Sequence, residues 1–283
     1  MKMNLNWYPG HMKKTSESIK NNLKKVDIVL ELIDARAPRA SENPMIPNLI
    51  GDKPRILIFN KGDLADSGEN KSWMDYYKNQ NIPAVSVNSN TGKGINDLLD
   101  LVDQVMENKR QRDKGKGILS KEVRAMIIGI PNVGKSTLIN SLANRKSAKT
   151  GNKPGITRTN QWIKVEDRML LLDTPGVLWP KFESEELALN LAFIGSIKDE
   201  VIPKEEVALK LVELLGKKYP DLLEKRYGVE TSQSPLEIME EIARKRGAIM
   251  RGNEVDYSRV TDIILDEFRK GVIGNITLEP VYV

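Results

Sequence analysis

Residues 129–136 carry the strongest chemical signal in the sequence. They have the sequence GIPNVGKS, which matches the pattern GxxxxGK[ST], and they lie between an apolar run typical of a strand and a segment of helical length. In such a loop the backbone amides and the helix N-terminus surround phosphates, Lys135 bridges phosphate oxygens and acts in catalysis, and the Ser136 hydroxyl ligates Mg²⁺. The predicted nucleotide contacts of this loop are Asn132, Val133, Gly134, Lys135, Ser136 and Thr137.

A second motif predicts which base the nucleotide carries. Asn60, Lys61 and Asp63 belong to the segment NKGD, at the end of an apolar run. The Asp63 carboxylate can accept hydrogen bonds from N1–H and the exocyclic amine of guanine, and adenine cannot donate that pair. Ser86 and Asn88 end the next apolar run, where we expect them to support the edge of the base. The motif therefore indicates guanine.

Two further segments are expected to contact the γ-phosphate and the metal ion. Asp173 opens the segment DTPG, in which the Gly176 amide would contact the γ-phosphate while Asp173 holds Mg²⁺ through water. Thr157 lies in a polar segment, residues 149–160, and its hydroxyl is expected to complete magnesium coordination and to assist catalysis when GTP is bound. Thr159 competes for that role, and an ordinary loop threonine is the alternative. The predicted metal ligands are Ser136, Thr157 and Asp173.

The elements that must position these residues follow from apolar runs of strand length. Such runs lie at 26–34, 55–60, 84–88 and 124–129, separated by amphipathic segments of helical length, so we expect a parallel α/β sheet. Two more strands are predicted at 161–165 and 169–172. A glycine-containing basic segment, 109–124, is expected to be a flexible connector.

Helical periodicity replaces the strand pattern beyond Trp179. Ser234, Pro235 and Glu237 predict a helix start with a capping box, and a second helix is predicted from about Asp256. The sequence therefore predicts a first domain over residues 1–180 and a small all-helical domain over 181–283. Arg244, Lys245, Arg246 and Arg251 could face nucleic acid, although a solvated helix surface is the alternative.

The order of the motifs is itself informative. Base recognition precedes phosphate recognition along the chain, whereas Ras-like GTPases have the opposite order. We therefore predict a circularly permuted Ras-like P-loop GTPase domain. Because the helical domain follows directly after residues 173–176, a nucleotide-driven change in that domain is physically plausible.

Composition excludes several other classes of protein. The 283 residues include no cysteine and one histidine, which excludes disulfides, cysteine-bound zinc and histidine-cluster metal sites. A net charge of +5 permits a polyanionic partner without requiring one. The sequence contains no apolar run long enough to span a bilayer, and its start lacks the apolar core of a signal peptide. We expect a cytoplasmic protein without a membrane partner.

Five segments together resemble the circularly permuted GTPases, and among them the bacterial ribosome biogenesis GTPases. The segments are WYPGHM (7–12), DAR (34–36), GIPNVGKSTLIN (129–140), NKPGIT (152–157) and LLDTPGVLWPKF (171–182). The resemblance implies a GTPase that binds the large ribosomal subunit during late assembly, with its helical domain contacting ribosomal RNA. We expect the protein to be a monomer. It also implies that Asn132 helps to seat a potassium ion beside the phosphates.

The resemblance also bears on how water is activated. Ras-like GTPases use a glutamine beside the switch glycine, but here that position is Val177, which cannot hydrogen-bond. His11 is the only imidazole in the chain, and its near-neutral pKa suits it to accept or orient a water proton. From the sequence alone an exposed terminal histidine is the alternative, and the resemblance favours the catalytic role.

Two rival functions remain open at this point. One is a non-catalytic, GTP-gated RNA-binding module, and the other is a GTPase acting in RNA modification. Intact Lys135, Ser136 and Asp173 favour hydrolysis, whereas Val177 in place of the glutamine favours the non-catalytic module.

Overall fold

A computed structural model describes residues 19–115, 122–147, 162–174 and 184–281. Its sheet has six strands in the order β3-β2-β1-β4-β6-β5, all parallel except β5, which runs antiparallel to β6. The strands are β1 (Ile28–Asp34), β2 (Arg55–Asn60), β3 (Ala84–Val87), β4 (Val123–Gly129), β5 (Trp162–Val165) and β6 (Met169–Asp173). The predicted α/β class and the six predicted strands are confirmed.

Helices connect these strands and make up most of the chain after the sheet. They are α1 (Pro38–Ser41), α2 (Ile46–Ile50), α3 (Ser67–Asn79), α4 (Ile95–Gly115), α5 (Lys135–Ser147), α6 (Glu185–Phe193), α7 (Lys204–Lys218), α8 (Pro220–Tyr227), α9 (Pro235–Arg246) and α10 (Tyr257–Arg269). The expected connector from residue 109 is partly wrong, because α4 continues through Gly115. In this extension Lys109 pairs with Asp27 and Arg110 with Asp103.

The predicted boundaries of α9 follow from local chemistry. Ser234 accepts a hydrogen bond from the Glu237 amide while the Glu237 side chain accepts one from the Ser234 amide. At the other end Gly247 adopts φ 68°, a left-handed conformation that favours glycine. Both helix ends are therefore encoded within a few residues.

The central strand β1 is buried on both faces of the sheet. Ile28, Leu30 and Leu32 belong to an apolar cluster that extends into the helices after residue 184. Val29 packs on the opposite face, in a cluster with Ile19. Coverage on both faces explains why the strands are apolar throughout rather than alternating.

Strand pairing brings the base motif and the phosphate motif to the same edge of the sheet. Strand β1 pairs with both β2 and β4, so the strand before NKGD and the strand before the phosphate loop flank one central strand. The carboxyl ends of these parallel strands lie at the same edge, where open α/β sheets bind ligands. We call this the nucleotide edge.

The last described residues return from the helices to the sheet half of the molecule. The Ile276 amide donates to the Leu64 carbonyl at 2.9 Å, and the Leu278 amide donates to the Arg36 carbonyl at 2.7 Å. The domain boundary predicted near residue 180 lies outside the described residues. This tail, residues 272–281, thus packs against a part of the chain more than two hundred positions earlier.

Glu279 anchors the tail through a buried carboxylate. It accepts hydrogen bonds from the Arg39 and Ala40 amides at 2.7 and 3.0 Å and from Asn190 Nδ2 at 3.0 Å. Burial raises the pKa of Glu279 to about 7 in spite of these donors. Trp73 Nε1 donates to the Glu279 carbonyl at 2.9 Å. In the described ranges, no helix is long and apolar enough to cross a membrane.

Candidate nucleotide site

Asn60 joins the two predicted nucleotide motifs. Its Nδ2 donates to the Val133 carbonyl of the phosphate loop at 2.7 Å, and its Oδ1 accepts from Ser89 Oγ at 2.6 Å. The side chain is buried, so both bonds are shielded from water. One asparagine therefore links the NKGD segment, the phosphate loop and the loop after β3.

Lys61 is held beside the phosphate loop from two sides. Its Nζ donates to Asp34 Oδ2 at 2.9 Å and to the Asn132 carbonyl at 3.0 Å. Lys61 and Asn132 both have a φ of 59°, unusual for residues other than glycine, so each loop makes a tight turn at this contact. This lysine of the base motif is therefore fixed between the end of β1 and the phosphate loop.

Asp63 is exposed at the end of the NKGD segment, where it can reach a ligand. Close packing behind it sets the position of the loop. A Cβ atom at Gly62 would lie 2.3 Å from Ser86 Oγ, so a side chain there would force the Ser86 hydroxyl to move. Ser86 Oγ also accepts a hydrogen bond from Asn70 Nδ2 at 3.1 Å. Ser86 is thus placed where it supports the NKGD loop from behind.

Asn88 and Ser89 make different contacts in the loop after β3. Asn88 Oδ1 accepts from the Asn90 and Thr91 amides at 2.9 and 3.0 Å, so in this structure it closes its own turn. The buried Ser89 contacts Asn60, and the sequence analysis missed it. The available signal was its position, directly after Asn88 at the end of a strand that faces the same edge.

The phosphate loop turns sharply between β4 and α5. Gly134 has a φ of 100°, and a Cβ there would lie 2.3 Å from Asn60 Nδ2. A Cβ at Gly129 would lie 2.5 Å from the Leu32 carbonyl oxygen of the adjacent strand. Close approach of the neighbouring backbone therefore requires glycine at position 129, and the positive φ favours glycine at position 134. Ser136 and Thr137 are exposed at the start of α5.

Lys135 lies inside the curve of its own loop. Its Nζ donates to the Gly129 and Ile130 carbonyls at 3.0 and 2.8 Å. Burial lowers the pKa of Lys135 to about 8, and the nearby Asp173 carboxylate opposes that shift. A phosphate arriving in the loop would favour the charged ammonium, because an opposite charge stabilises it.

The predicted metal ligands that can be located suit a hard cation. Asp173 ends β6 opposite Ile127 of β4, two residues before the phosphate loop begins. Its pKa is raised because burial outweighs the attraction of Lys135. A carboxylate oxygen and the Ser136 hydroxyl are ligands that Mg²⁺ prefers. The next residue, Thr174, is fixed by a bond from its Oγ1 to the Ile127 carbonyl at 2.5 Å.

Comparisons with known proteins support the GTPase interpretation of this edge. A family model described as a 50S ribosome-binding GTPase matches residues 124–238. Ribosome biogenesis GTPase A of Bacillus licheniformis is 44% identical, covering 98% of each chain. Its Thermotoga maritima counterpart is 31% identical, covering 97% of this chain and 94% of its own. The chain belongs to the ribosome biogenesis GTPase A family.

Solved structures support the same family fold. A GDP-bound structure of YlqF aligns over 93% of this chain and 99% of its own, with 28% identity and a TM-score of 0.70. A GNP-bound structure of YlqF from T. maritima aligns over 94% and 98%, with a TM-score of 0.68. The circularly permuted P-loop fold predicted for this ribosome biogenesis GTPase is thereby confirmed.

Three predicted site residues of this GTPase lie outside the described residues. They are His11, Thr157 and Gly176. Their assigned roles stay predictions. The located members of the site lie at the carboxyl ends of β2, β3 and β6, in the loops after β2, β3 and β4, and in the first turn of α5. They are Asn60, Lys61, Asp63, Ser86, Asn88, Asn132, Val133, Gly134, Lys135, Ser136, Thr137 and Asp173.

The basic residues predicted to contact RNA lie at the end of α9 and just beyond it. Arg244 pairs with Glu240 at 3.5 Å, and Lys245 pairs with Glu241 at 2.8 Å. Arg246 lies 3.4 Å from Glu267 and stacks over the Tyr227 ring at 5.1 Å. Arg251 is exposed. Of these four cations, three have carboxylate partners within the ribosome biogenesis GTPase itself.

Proposed function

We propose that the chain is a Mg²⁺-dependent GTP hydrolase that binds the large ribosomal subunit and assists its late assembly. The observation that supports this most strongly is the direct bond from Asn60 of the base motif to Val133 of the phosphate loop, at 2.7 Å. A single ligand carrying both a guanine and phosphates would contact both loops. Similarity to ribosome biogenesis GTPases supports the ribosomal setting.

The residues of the site divide into three roles. Asp63 selects guanine, and Lys135 with the amides of the phosphate loop binds the phosphates. Ser136 and Asp173 would hold Mg²⁺, with Thr157 joining them in the GTP state, and the bound ion neutralises charge on the β- and γ-phosphates. The Gly176 amide contacts the γ-phosphate. These assignments rest on residue chemistry and on the shared nucleotide edge.

His11 is proposed to orient or accept a proton from the attacking water. The side chain of Val177 cannot do so, and in this proposal the large subunit places His11 beside the γ-phosphate. We therefore expect slow basal hydrolysis that the large subunit accelerates. His11→Ala should lose most of the stimulated rate and keep GTP affinity, whereas Lys14→Ala, a matched change nearby, should keep both.

Purified subunits provide the decisive test. GTP turnover is measured for the protein alone, with large subunits and with small subunits as the control. Acceleration by large subunits only is the expected result. GTP-dependent RNA binding without turnover would favour the non-catalytic module, and acceleration by a modification substrate would favour the other rival.

Three subsidiary proposals accompany this function. The protein is cytoplasmic, which fractionation of cells would test, and monomeric, which sedimentation of the purified chain would test. Asn132 Nδ2 donates to the Gly195 carbonyl at 2.7 Å. The side-chain oxygen of Asn132 is the atom that a potassium ion beside the phosphates would contact. Equal hydrolysis rates in potassium and sodium buffers would contradict the potassium proposal.

A further inference from the structure

Asp34, at the carboxyl end of the central strand, is fully buried between two cations. Arg36 Nε donates to Asp34 Oδ1 at 2.9 Å, and Arg36 Nη2 donates to Oδ2 at 2.8 Å. Lys61 Nζ shares Oδ2 at 2.9 Å. Burial alone would raise the pKa of Asp34, but the two cations outweigh it and hold that pKa below its ordinary range. The carboxylate is therefore charged and fully hydrogen-bonded.

Each cation continues to a different part of the molecule. On one side Lys61 reaches the Asn132 carbonyl of the phosphate loop at 3.0 Å. On the other side Arg36 Nη1 donates to the Arg269 carbonyl at 3.2 Å and to the Phe268 carbonyl at 3.4 Å. These carbonyls end α10, where helices leave acceptors unpaired and favour positive charge.

A second set of contacts returns from α10 to the phosphate loop. The Arg269 side chain donates to the Phe193 and Ala192 carbonyls at 3.1 and 2.9 Å, at the end of α6. Gly195 follows in the same turn, and its carbonyl accepts from Asn132 Nδ2 at 2.7 Å. The contacts thus form a closed ring that starts and ends at Asn132.

We infer that Arg36 is a positioning residue that, through Asp34 and Lys61, couples nucleotide binding to the placement of the C-terminal end of α10. The inference rests on the proposed function only in requiring that the site binds a guanine nucleotide. Coupling of this kind is reciprocal, so a ligand that orders the phosphate loop also orders the helix end.

Arginine is needed here because its planar fork donates to two carboxylate oxygens and still has a nitrogen for the helix carbonyls. Lysine keeps the charge but presents a single nitrogen. Arg36→Lys should therefore preserve the buried ion pair and lose the connection to α10. Arg226→Lys is the matched control, because Arg226 binds Glu267 of the same helix with two bonds, at 2.8 and 2.6 Å, without contacting Asp34.

Amide hydrogen exchange of residues 266–272 measures the coupling, with and without saturating GDP. In the wild type and in Arg226→Lys, GDP should slow exchange by about fivefold or more. In Arg36→Lys the effect of GDP should fall below about twofold, although GDP still saturates the site. Saturation is checked by nucleotide fluorescence, so that a change in affinity does not imitate a loss of coupling.

Because Arg36 is buried, a second variant covers the case in which Arg36→Lys does not fold. Lys61→Met removes the link from a partly exposed side chain and leaves the Asp34–Arg36 pair in place, and it should likewise lower the GDP effect below about twofold. Because Lys61 is itself a predicted nucleotide contact, exchange of this variant is compared only at GDP concentrations that fluorescence shows to saturate it. Persistence of the effect in the folded variants, or its loss in Arg226→Lys, would overturn the inference. If the wild type binds no GDP, the proposed function fails as well; if it binds GDP without protecting residues 266–272, only the inference fails.

Discussion

The nucleotide edge and the helical segment 184–281 differ in how their polar and charged side chains are exposed and bonded. At the nucleotide edge Asp63 and Ser136 are exposed, while Asn60 and Asp34, which hydrogen-bond to residues of the neighbouring loops, are buried. In the helical segment Arg244 and Lys245 are exposed but paired with glutamates one turn earlier. Strand ends converge by geometry, whereas a charge cluster on a helix is readily neutralised by its own neighbours.

The largest expected effect tests the nucleotide edge directly. Lys135→Ala or Ser136→Ala should slow GTP hydrolysis by more than about 100-fold, because each removes a group that acts on phosphate or metal charge. Asn140→Ala, on the exposed side of α5, should leave the rate unchanged. Turnover is compared at saturating GTP, and circular dichroism checks that each variant is folded. Unchanged turnover would contradict the assignment of this loop.

The tail that joins the two regions should respond to pH. Because the folded pKa of Glu279 is raised to about 7 from 4.5, its protonated form favours the folded state, and this contribution is lost as pH rises from about 4.5 to 7. Between pH 5 and 7.5 this amounts to about 2 kcal/mol of unfolding free energy.

Urea unfolding of Glu279→Gln measures that contribution, with the exposed Glu254→Gln as control. As pH rises through this interval, the free energy of unfolding of Glu279→Gln should fall less than that of the wild type. Glu31, whose pKa burial also raises to about 7, retains its own share in both proteins. A Glu279→Gln variant with the wild-type pH profile would show that the Glu279 carboxyl does not titrate differently on folding.

Base selectivity is the next largest effect. Asp63→Asn should weaken GTP binding by more than about 1.5 kcal/mol, because guanine donors lose a charged acceptor. The variant should gain affinity for xanthosine triphosphate, whose exocyclic oxygen can accept from the new amide. Competition titrations with GTP, xanthosine triphosphate and ATP measure both changes, and Asp75→Asn on α3 is the control. Wild-type protein that binds ATP as well as GTP would refute guanine selectivity.

The smallest effect sharpens the contrast with the helical segment. If RNA contacts involve this basic cluster, Arg251→Gln should reduce the slope of log affinity against log salt concentration for large-subunit binding. The reduction should equal the contribution of about one phosphate contact. Arg244→Gln and Lys245→Gln should change it less, because glutamates already neutralise those side chains. Arg246→Gln should also alter stability, since Arg246 stacks on Tyr227. A salt-independent affinity would leave these residues as ordinary solvated surface.

The strands and motifs could be predicted because their signals are local. An apolar run followed by NKGD or GIPNVGKS specifies both a strand and the loop at its end. The bonds among these loops could not be predicted, because Asn60 is separated from Val133 by 73 positions and Asp34 from Lys61 by 27. The DAR segment contributes to the family resemblance, but nothing local indicates that Arg36 reaches α10. The tail was missed because it has neither helical nor strand periodicity.

The tail also has a consequence for the synthesis of the protein. Ala40 and Glu279, joined by a buried hydrogen bond, are 239 positions apart. At a translation rate of about 5–20 residues per second, Ala40 leaves the peptidyl transferase centre roughly 12 to 48 s before Glu279 does. Until then the α1 amides and Trp73 lack their partners in the tail. One side of the N-terminal half of the protein is thus completed by residues that are among the last to be synthesised.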